Sequence, residues 1–491
     1  MKKRSCPTPE ARVRFGLGVV DITPPIGIYH RMFGAAAHDR ASGIHRPLQA
    51  DVIAIGGVDQ DRPDFIRVVL DHCGFVGSQH REFIRRVSEA ANLPAEQVVV
   101  GYSHTHSGGW YTPDRFGLAG GELIPAYLSK IGDQLAAATR SAIADMKVSH
   151  LSYATARCTL AANRDYWDED FGRFVCGYNP EGVADDTVTV ARISTDEGSL
   201  RAVLVHYACH PTTLGWENSL ISPDYIGALR ETVSQATGVP CVYWQGALGD
   251  LGPRVGFVGD VSVADRNGRL LGFAALSALE SIGPCETEFQ YAGPVISGAT
   301  LGTWRYVPTD PSRRERQARV SGTRLTIPFP LKPHDDPETL ERERVKMEDL
   351  AAQAHQRGDV VAARDCRAKA ERAKRALGRL ANLPPGDTYP LSVSVHVVGE
   401  SVWITSGGEP YQVLAKELST RFPHLTVLYS PLADGVEVGY LLPEGEYGKG
   451  LYQEEPTILP RGSLEVLCDT LIQKVEKLLE ESSLQTSCAR P

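Results

Sequence analysis

The sequence lacks the features by which membrane proteins, nucleic-acid-binding proteins and disulfide-rich proteins are recognised. No stretch reaches the roughly 18 consecutive apolar residues that a membrane-spanning helix needs. The formal net charge of −9 argues against nucleic acid as a partner, because binding phosphates requires a basic surface. The ten cysteines contain no CxxC pair, which predicts mostly reduced, buried thiols.

The N-terminus also lacks a secretory signal. Lys2, Lys3 and Arg4 are not followed by an apolar segment of the kind that a signal peptide contains. We therefore expect a cytoplasmic protein without a transmembrane segment. Whether it forms a homo-oligomer stays open.

Three common catalytic signatures are missing as well. The chain contains no HExxH, no GxSxG and no GxxxxGK[ST] motif. A simple zincin, a serine hydrolase with a nucleophile elbow and a P-loop enzyme therefore lose their main support. The remaining composition is that of an ordinary globular protein, with 42% hydrophobic and 23% charged residues in a chain of 491.

Strand-like and helix-like patterns alternate over the first 300 residues and return near the end of the chain. This alternation predicts a mixed α/β fold with buried β-sheets flanked by helices. The predicted strands are 98–102, 187–193, 201–209, 392–398 and 402–406, and the predicted helices are one capped by Ser78, 123–146, 264–282 and 463–481.

A charged segment interrupts this pattern, and we expect it to be an insertion in one catalytic domain. The domain spans residues 12–482 and the insertion 308–385, in which 339–356 and 360–380 predict a helical hairpin. A solvated insertion is favoured, and a partner-binding arm stays open. Residues 1–11 and 483–491 are predicted to be flexible termini.

The most informative stretch is residues 101–109, GYSHTHSGG, where a buried strand runs into a glycine loop. His104 and His106 are two residues apart, so an extended chain directs both to the same side. Imidazole is a common ligand of Zn²⁺ in catalytic sites. The pair therefore predicts a metal or catalytic site, and two polar histidines that end a strand are the alternative.

Two further stretches contain candidate residues. His210 closes a predicted strand, and Pro211 stops the strand from continuing, which leaves the imidazole either packed or free to bind a ligand. His206 lies deeper in the same apolar run and is interpreted as structural. Asp250 lies among glycines that allow a ligand to approach the backbone, or it caps a tight turn.

Seven segments, in the same order, resemble the motifs of the neutral/alkaline non-lysosomal ceramidase family. The resemblance extends from about residue 15 to about residue 480. The segments are 16–25 (GLGVVDITPP), 104–107 (HTHS), 163–164 (NR), 209–212 (CHPT), the loop containing Gly249 and Asp250, 408–409 (GE), and the tyrosine-rich segment with Tyr440, Tyr447 and Tyr452.

The resemblance implies a role for each matching residue. The Zn²⁺ ligands of the family correspond to His104, His210, Glu409 and Tyr440. His106 corresponds to a general acid/base, and Arg164 and Tyr452 correspond to oxyanion donors. Tyr447 is a lesser candidate for the same role, and a packed aromatic side chain is an equally good interpretation of it. Asp250 and Gly252 correspond to substrate-binding positions.

The chain departs from the family pattern at several positions. Gly252 stands where the family has Ser or Asn, Gly407 replaces a proline, and Gln453 replaces an acid. The chain resembles the short bacterial type, without the C-terminal β-sandwich domain of the secreted ceramidases. The missing side chain at Gly252 favours a substrate other than ceramide.

Three functions remain in competition at this stage. The first is a zinc-dependent amidohydrolase that cleaves the linear amide of a small-molecule or lipid-like N-acyl substrate with a metal-activated water. The second is a zinc hydrolase of a small non-lipid amide or an ester. The third is a non-catalytic binding protein on the same fold, which the retention of every implied metal ligand disfavours.

Overall fold

The computed structural model describes residues 4–433 and 435–488. Its helices are α1 (Gly77–Ala91), α2 (Ile124–Ala144), α3 (Tyr225–Thr237), α4 (Val261–Glu280), α5 (Pro311–Gln317), α6 (Pro337–Gln356), α7 (Val360–Ala381), α8 (Val413–Arg421) and α9 (Ser463–Cys488). Its strands are β1 (Ser5–Pro7), β2 (Glu10–Asp21), β3 (Gly43–Ile44), β4 (Gln49–Gly56), β5 (Phe65–Leu70), β6 (Val98–Tyr102), β7 (Lys147–Arg157), β8 (Ala161–Asn163), β9 (Asp165–Asp168), β10 (Arg173–Cys176), β11 (Thr187–Thr195), β12 (Leu200–Tyr207), β13 (Leu220–Ile221), β14 (Cys241–Gln245), β15 (Leu251–Pro253), β16 (Thr287–Ser297), β17 (Ala299–Pro308), β18 (Val320–Pro330), β19 (Thr388–Val398), β20 (Ser401–Ser406), β21 (Glu409–Pro410), β22 (Thr426–Ser430) and β23 (Tyr440–Leu441).

Two sheets form the centre of the molecule, and helices cover their outer faces. The larger sheet has the order β14-β12-β11-β7-β2-β4-β5-β6, and the smaller has the order β18-β19-β20-β22. Helices α1 to α4 cover one face of the larger sheet. Its other face packs on the smaller sheet through residues such as Trp244 and Trp403, whose ring centroids are 4.7 Å apart. The predicted mixed α/β class is confirmed.

Close packing between β2 and α2 explains the glycines of the GLG segment. A Cβ atom on Gly16 would lie 1.9 Å from the carbonyl oxygen of Ala142, and one on Gly18 would lie 2.1 Å from that of Ala138. Because any side chain there would clash with backbone, only glycine lets the helix approach the strand. The first motif of the sequence therefore has a packing role.

The ends of several strands meet at one edge of the two sheets. His104 follows β6, and His210 follows β12. Glu409 lies in β21, which pairs in parallel with β23, so that Glu409 is directly opposite Tyr440. Loops at the carboxyl ends of buried strands are rigidly anchored positions for reactive groups.

The helical hairpin is present, but the boundary predicted for the insertion at 308 is wrong. Strand β18 pairs with β19 along its whole length, from Val320 opposite Val398 to Pro330 opposite Thr388. This strand therefore belongs to the smaller sheet, and the inserted segment is the connection between the two strands. The sequence does not predict this strand because Pro328 and Pro330 argue against a strand, although prolines are tolerated at a sheet edge such as β18.

The termini and the start of α1 also differ from the prediction. Ser5–Pro7 pair with β16, and Glu10 and Ala11 are buried in β2, although the whole segment was predicted to be flexible. Residues 1–3 and 489–491 lie outside the described residues, and α9 continues to Cys488. The predicted Ser78 cap is wrong, because Val76 occupies the cap position of α1 without a side-chain bond. Among the described residues, no helix is long and apolar enough to span a bilayer.

Candidate metal centre

His104 is held by its backbone and by its ring. Its φ of 69° lies in the left-handed region, which non-glycine residues rarely adopt. The backbone N–H donates to the carbonyl of His72 at 2.9 Å. Nδ1 lies 2.7 Å from the carbonyl oxygen of Cys73, which can only accept a hydrogen bond, so Nδ1 carries a proton and Nε2 is the ring nitrogen left to face a metal. The buried ring therefore directs a potential ligand atom towards the cleft.

His210 is held in the same way from the opposite side of the cleft. Its Nδ1 is 2.8 Å from the carbonyl oxygen of Leu248 and 3.0 Å from that of Leu251. The ring is fully buried, and Nε2 is directed towards Glu409. A backbone carbonyl that accepts from the second ring nitrogen is the usual way in which a metal-binding histidine is oriented.

Glu409 and Tyr440 complete a compact group of donor atoms. Glu409 Oε2 lies 3.0 Å from His210 Nε2 and 3.5 Å from His104 Nε2. The ligand atoms of His104, His210 and Glu409 all lie within 4.8 Å of one another. Tyr440 Oη is 3.5 Å from His210 Nε2. Nitrogen and oxygen donors in such a group suit tetrahedral Zn²⁺.

Burial and mutual contacts shift the pKa values of these groups. Burial and the charge of Arg164 lower the pKa of His210 to about 3. Burial opposes the charged form of Glu409, but His104 and then the hydrogen bonds hold its pKa well below the usual range. Burial raises the pKa of Tyr440 well above its usual value, and Arg164 opposes this effect. A neutral imidazole beside a carboxylate is the protonation state in which both bind a metal.

The protonation of His104 follows a different balance. Burial disfavours its charged form, but Cys73 and then Glu409 raise its pKa well above the usual value. Cys73 was not singled out from the sequence, yet its sulfur lies 3.6 Å from His104 Nδ1. Together with His106 these two residues form a second group of closely spaced donors. An isolated cysteine far from the histidines in sequence carries no pattern that would have revealed it.

His106 lies next to this group of donors. Its ring centroid is 4.9 Å from that of His104 and 6.0 Å from that of His210. Its Nε2 is buried and has no hydrogen-bond partner among the described residues. Burial and the neighbouring histidines lower the pKa of His106 well below its usual value. A neutral imidazole with a free nitrogen in the cleft is suited to accept a proton.

Arg164 and Tyr452 lie on the far side of Tyr440. The Arg164 guanidinium is buried, donates to the Gly249 carbonyl from Nη2 at 2.7 Å, and lies 5.2 Å from the centre of the Tyr440 ring. The rings of Tyr440 and Tyr452 are 5.9 Å apart. Tyr452 is half exposed and lines the cavity. The structure thus brings both predicted oxyanion donors close to the predicted metal-binding residues.

Besides the buried His210 and Arg164, three predicted site residues do not line the cavity. The hydroxyl of Tyr447 donates to the carbonyl of Leu459 at 3.2 Å, which agrees with the alternative interpretation of Tyr447 as a packed aromatic side chain. The Asp250 carboxylate accepts from the backbone and side chain of Gln412 at 2.8 and 2.6 Å. Gly252 pairs with β8, where a Cβ atom would lie 3.7 Å from Arg164. Asp250 and Gly252 therefore support the loop beside Arg164.

One cavity of about 370 Å³ connects these groups to solvent. Its lining includes His104, Glu409 and Tyr440 of the predicted metal-binding group, together with His106 and Tyr452. The opposite side contains residues of helix α7, including Arg375 and Arg379. These α7 residues were missed, because their charged helical pattern is also that of a solvated surface.

Comparisons with known proteins agree with this arrangement. Residues 13–253 match the model of the neutral/alkaline non-lysosomal ceramidase family, N-terminal. The family resemblance predicted from the sequence is thus confirmed. The fold of the chain is similar to that of neutral ceramidase from Pseudomonas aeruginosa, at 16% identity over 95% of this chain and 74% of that one, with a TM-score of 0.62. A structure described as a ceramidase complexed with C2 gives 15% identity, coverage of 97% and 76%, and a TM-score of 0.63. No curated protein gives a significant match.

The family assignment rests on the first half of the chain, whereas the donor group draws on both halves. His104, His106, Arg164 and His210 lie within the matched residues 13–253. Glu409 and Tyr440 come from the separate strand pair β21-β23, and Tyr452 from the segment that follows β23. Ceramidase family and fold together support a hydrolase of the ceramidase type, which acts on amide bonds.

Proposed function

We propose that the protein is a zinc-dependent hydrolase that cleaves the amide bond of an N-acyl substrate. The observation that carries the proposal is the convergence of His104, His210 and Glu409 on one point, with Tyr440 beside them. Both histidines have Nδ1 bonded to backbone carbonyls, so in each ring Nε2 is the nitrogen that faces Glu409 and would bind the metal. A chance grouping of polar side chains would not need this orientation.

In this proposal His104, His210, Glu409 and Tyr440 hold the metal. Bound Zn²⁺ supplies an activated water for attack on the amide carbonyl. His106 takes a proton from the attacking water and returns it to the leaving amine, because its buried Nε2 has no other partner among the described residues.

Arg164 and Tyr452 stabilise the negative charge that develops on the carbonyl oxygen. Arg164 has five N–H donors, of which Nε and Nη2 donate to the Gly249 carbonyl, so part of the guanidinium beside Tyr440 is left to donate to a substrate oxygen. Each such donor contributes about 3–4 kcal/mol in acyl transfer. Tyr447, Asp250 and Gly252 act at most through the packing of the loops that carry these groups.

The cavity favours a small substrate over a long-chain ceramide. Its volume of about 370 Å³ is at the lower end of the roughly 300–1,000 Å³ that ligand pockets occupy. A small non-lipid amide or an ester is therefore the second candidate substrate class. The predicted cytoplasmic location and the oligomeric state stay open to fractionation and sedimentation measurements.

The test is the release of carboxylic acid from short- and long-chain ceramides by zinc-loaded protein, with a chelator control. Chelator-sensitive release would establish a ceramidase despite Gly252. If a protein that holds one zinc per chain releases no acid, small soluble N-acyl compounds are the next substrates to test. If neither class is cleaved, the proposal is wrong.

A further inference from the structure

Helix α7 places a row of cations on the wall of the cavity that faces the metal-binding residues. Lys374, Arg375 and Arg379 all line the cavity, at positions that one face of a helix presents together. Arg115, from the loop after the second histidine, adds a fourth cation. The acidic groups of the same cavity are Asp114, Glu409 and Glu437.

Three of these four cations have partners within the protein. Arg115 donates to both carboxylate oxygens of Glu371, at 2.9 and 2.7 Å. Lys374 is 3.5 Å from Asp114. Arg375 also bonds Glu371, at 2.9 Å, and donates to the carbonyl of Met32. These pairs fix α7 over the cavity and neutralise most of its charge.

The acidic groups of the cavity also have partners within the protein. Glu409 belongs to the metal-binding group, and Asp114 contacts both Arg115 and Lys374. Glu437 accepts from the backbone N–H of Gly77 at 2.6 Å. None of these acids pairs with Arg379.

Arg379 is the exception among the cavity cations. Within residues 4–433 and 435–488, its guanidinium makes no hydrogen bond and no ion pair, although the side chain is half-buried. Burial lowers the pKa of Arg379. Tyr452 raises this pKa, whereas the like charges of Arg375 and Arg372 lower it further. A partly desolvated cation without a counter-charge is energetically unfavourable, and binding an anion from solution would supply that counter-charge.

Arg379 lies in the same cavity as the residues that are proposed to act on the substrate. Arg379 and Tyr452 both line the cavity, and the Tyr452 ring lies 5.9 Å from the Tyr440 ring. The cation therefore shares one cavity with Glu409 and Tyr440 of the predicted metal-binding group. A guanidinium fork matches the geometry of a carboxylate, which can accept two parallel hydrogen bonds.

We infer that Arg379 binds an anionic group of the substrate, and that the substrate class is an N-acyl amide with a carboxylate on its amine portion, such as an N-acyl amino acid. This inference rests on the proposed function for the reaction itself. Binding of the anion does not depend on turnover, so the two can be tested separately.

The test compares two probes that differ only in charge, N-hexanoylglycine and its neutral amide N-hexanoylglycinamide. Calorimetric titration uses the metal-free full chain, because a bound metal would itself attract a carboxylate. We expect the wild type to bind N-hexanoylglycine about ten- to a hundred-fold more tightly than the amide, as a charge-assisted hydrogen bond allows. Added salt should weaken this preference.

Arg379→Met should remove the preference. Arg364→Met is the matched control, since Arg364 lies on the same helix, is exposed and pairs with Asp365 away from the cavity. Arg379→Lys keeps the positive charge but not the two parallel donors of the guanidinium, and it should keep part of the preference. This conservative variant provides the test if Arg379→Met does not fold. Equal affinity for both probes, no binding of N-hexanoylglycine, or a preference that survives in Arg379→Met would overturn the inference.

Turnover by the zinc-loaded protein separates this inference from the proposed function. If both hold, N-hexanoylglycine has the lower KM, and Arg379→Met raises that KM more than it raises the KM for the amide. Cleavage without charge preference would overturn the anion site alone. Charge-dependent binding without cleavage of either probe or of ceramide would support the anion site and contradict the proposed hydrolase.

Discussion

The side chains on the two walls of the cavity are held in place by different kinds of contact. On the metal-binding wall, His104 and His210 follow buried strands and are fixed by backbone carbonyls, and Glu409 is fixed by the parallel pairing of two short strands. On the α7 wall, long side chains extend from one helix of an insertion and are held by ion pairs with other side chains. The proposed chemistry thus lies on rigid scaffold elements, and the proposed recognition of the substrate lies on an appended one.

One buried ion pair connects the two walls. Glu371 of α7 contacts Arg115, which lies on the loop that continues from the metal-binding histidine segment. The pair is nearly inaccessible to solvent, with Arg115 2% and Glu371 6% exposed. The position of α7 is therefore coupled to the loop that carries His106, and changes on one wall can be compared with changes on the other.

The largest expected effect comes from breaking the metal-binding wall. His104→Ala or His210→Ala should lose bound zinc and reduce turnover to the level of the uncatalysed reaction, because each removes a ligand that no neighbour replaces. Zinc content and acid release are measured together. His355→Ala, an exposed histidine of α6, is the control and should retain both. Full turnover in either ligand variant would refute the metal assignment.

His106→Ala should separate chemistry from metal binding. We expect one zinc per chain to remain while turnover falls by about 10²–10⁴-fold, the usual contribution of a general acid/base. Metal content and kcat report the two effects independently. Parallel loss of zinc and activity would instead make His106 a ligand.

Glu371→Gln should weaken the connection between the walls and leave the metal-binding wall intact. Removing one partner of a buried ion pair costs about 3–5 kcal/mol of unfolding free energy, since two arginines lose their shared counter-charge. Urea denaturation of the variant and the wild type measures the loss. Zinc content should not change, and a fall in zinc content would contradict the separation of the two walls.

The same pair predicts a pH dependence of stability. Burial raises the pKa of Glu371, but Arg375 and Arg115 outweigh it and lower the pKa to about 2. Because the folded-state pKa is below the unfolded value of about 4.5, the stabilisation is fully present above that pH and is lost as the pH falls towards about 2. The difference in unfolding free energy between wild type and Glu371→Gln should therefore shrink on acidification, and a constant difference would contradict this account.

The smallest expected effect is that of Gly252→Ser. The added Cβ atom would lie 3.7 Å from the Arg164 side chain, an ordinary contact, so the change should be tolerated. If the missing hydroxyl is what disfavours ceramide, ceramide turnover should rise by roughly five- to tenfold, the effect of one hydrogen bond. Unchanged turnover would mean that the size of the cavity, and not this side chain, excludes ceramide.

Prediction from the sequence succeeded where local pattern and motif carried the information. The alternation of His104 and His106 after a buried strand predicted a shared cleft, and the ring positions agree with it. Glu409 and Tyr440 came from family resemblance alone, because no local pattern shows that two distant short strands pair. Their roles as ligands remain predictions.

The α7 wall could not have been predicted in this way. The charged face of a helix looks the same whether it meets solvent or a cavity, so Arg379 carried no distinguishing signal. Its significance appears only when the partners of the neighbouring cations are known. The misplaced boundary of the insertion has a similar cause, since β18 is recognised by its pairing with β19 and not by its own sequence.

The most direct test of the account is the zinc content of the purified full-length protein, measured by elemental analysis after incubation with Zn²⁺ near neutral pH and removal of the excess. The account predicts one zinc per chain in the wild type and in Arg379→Met, and none in His210→Ala. A wild-type protein that retains no zinc, or a His210→Ala variant that retains as much as the wild type, would contradict it.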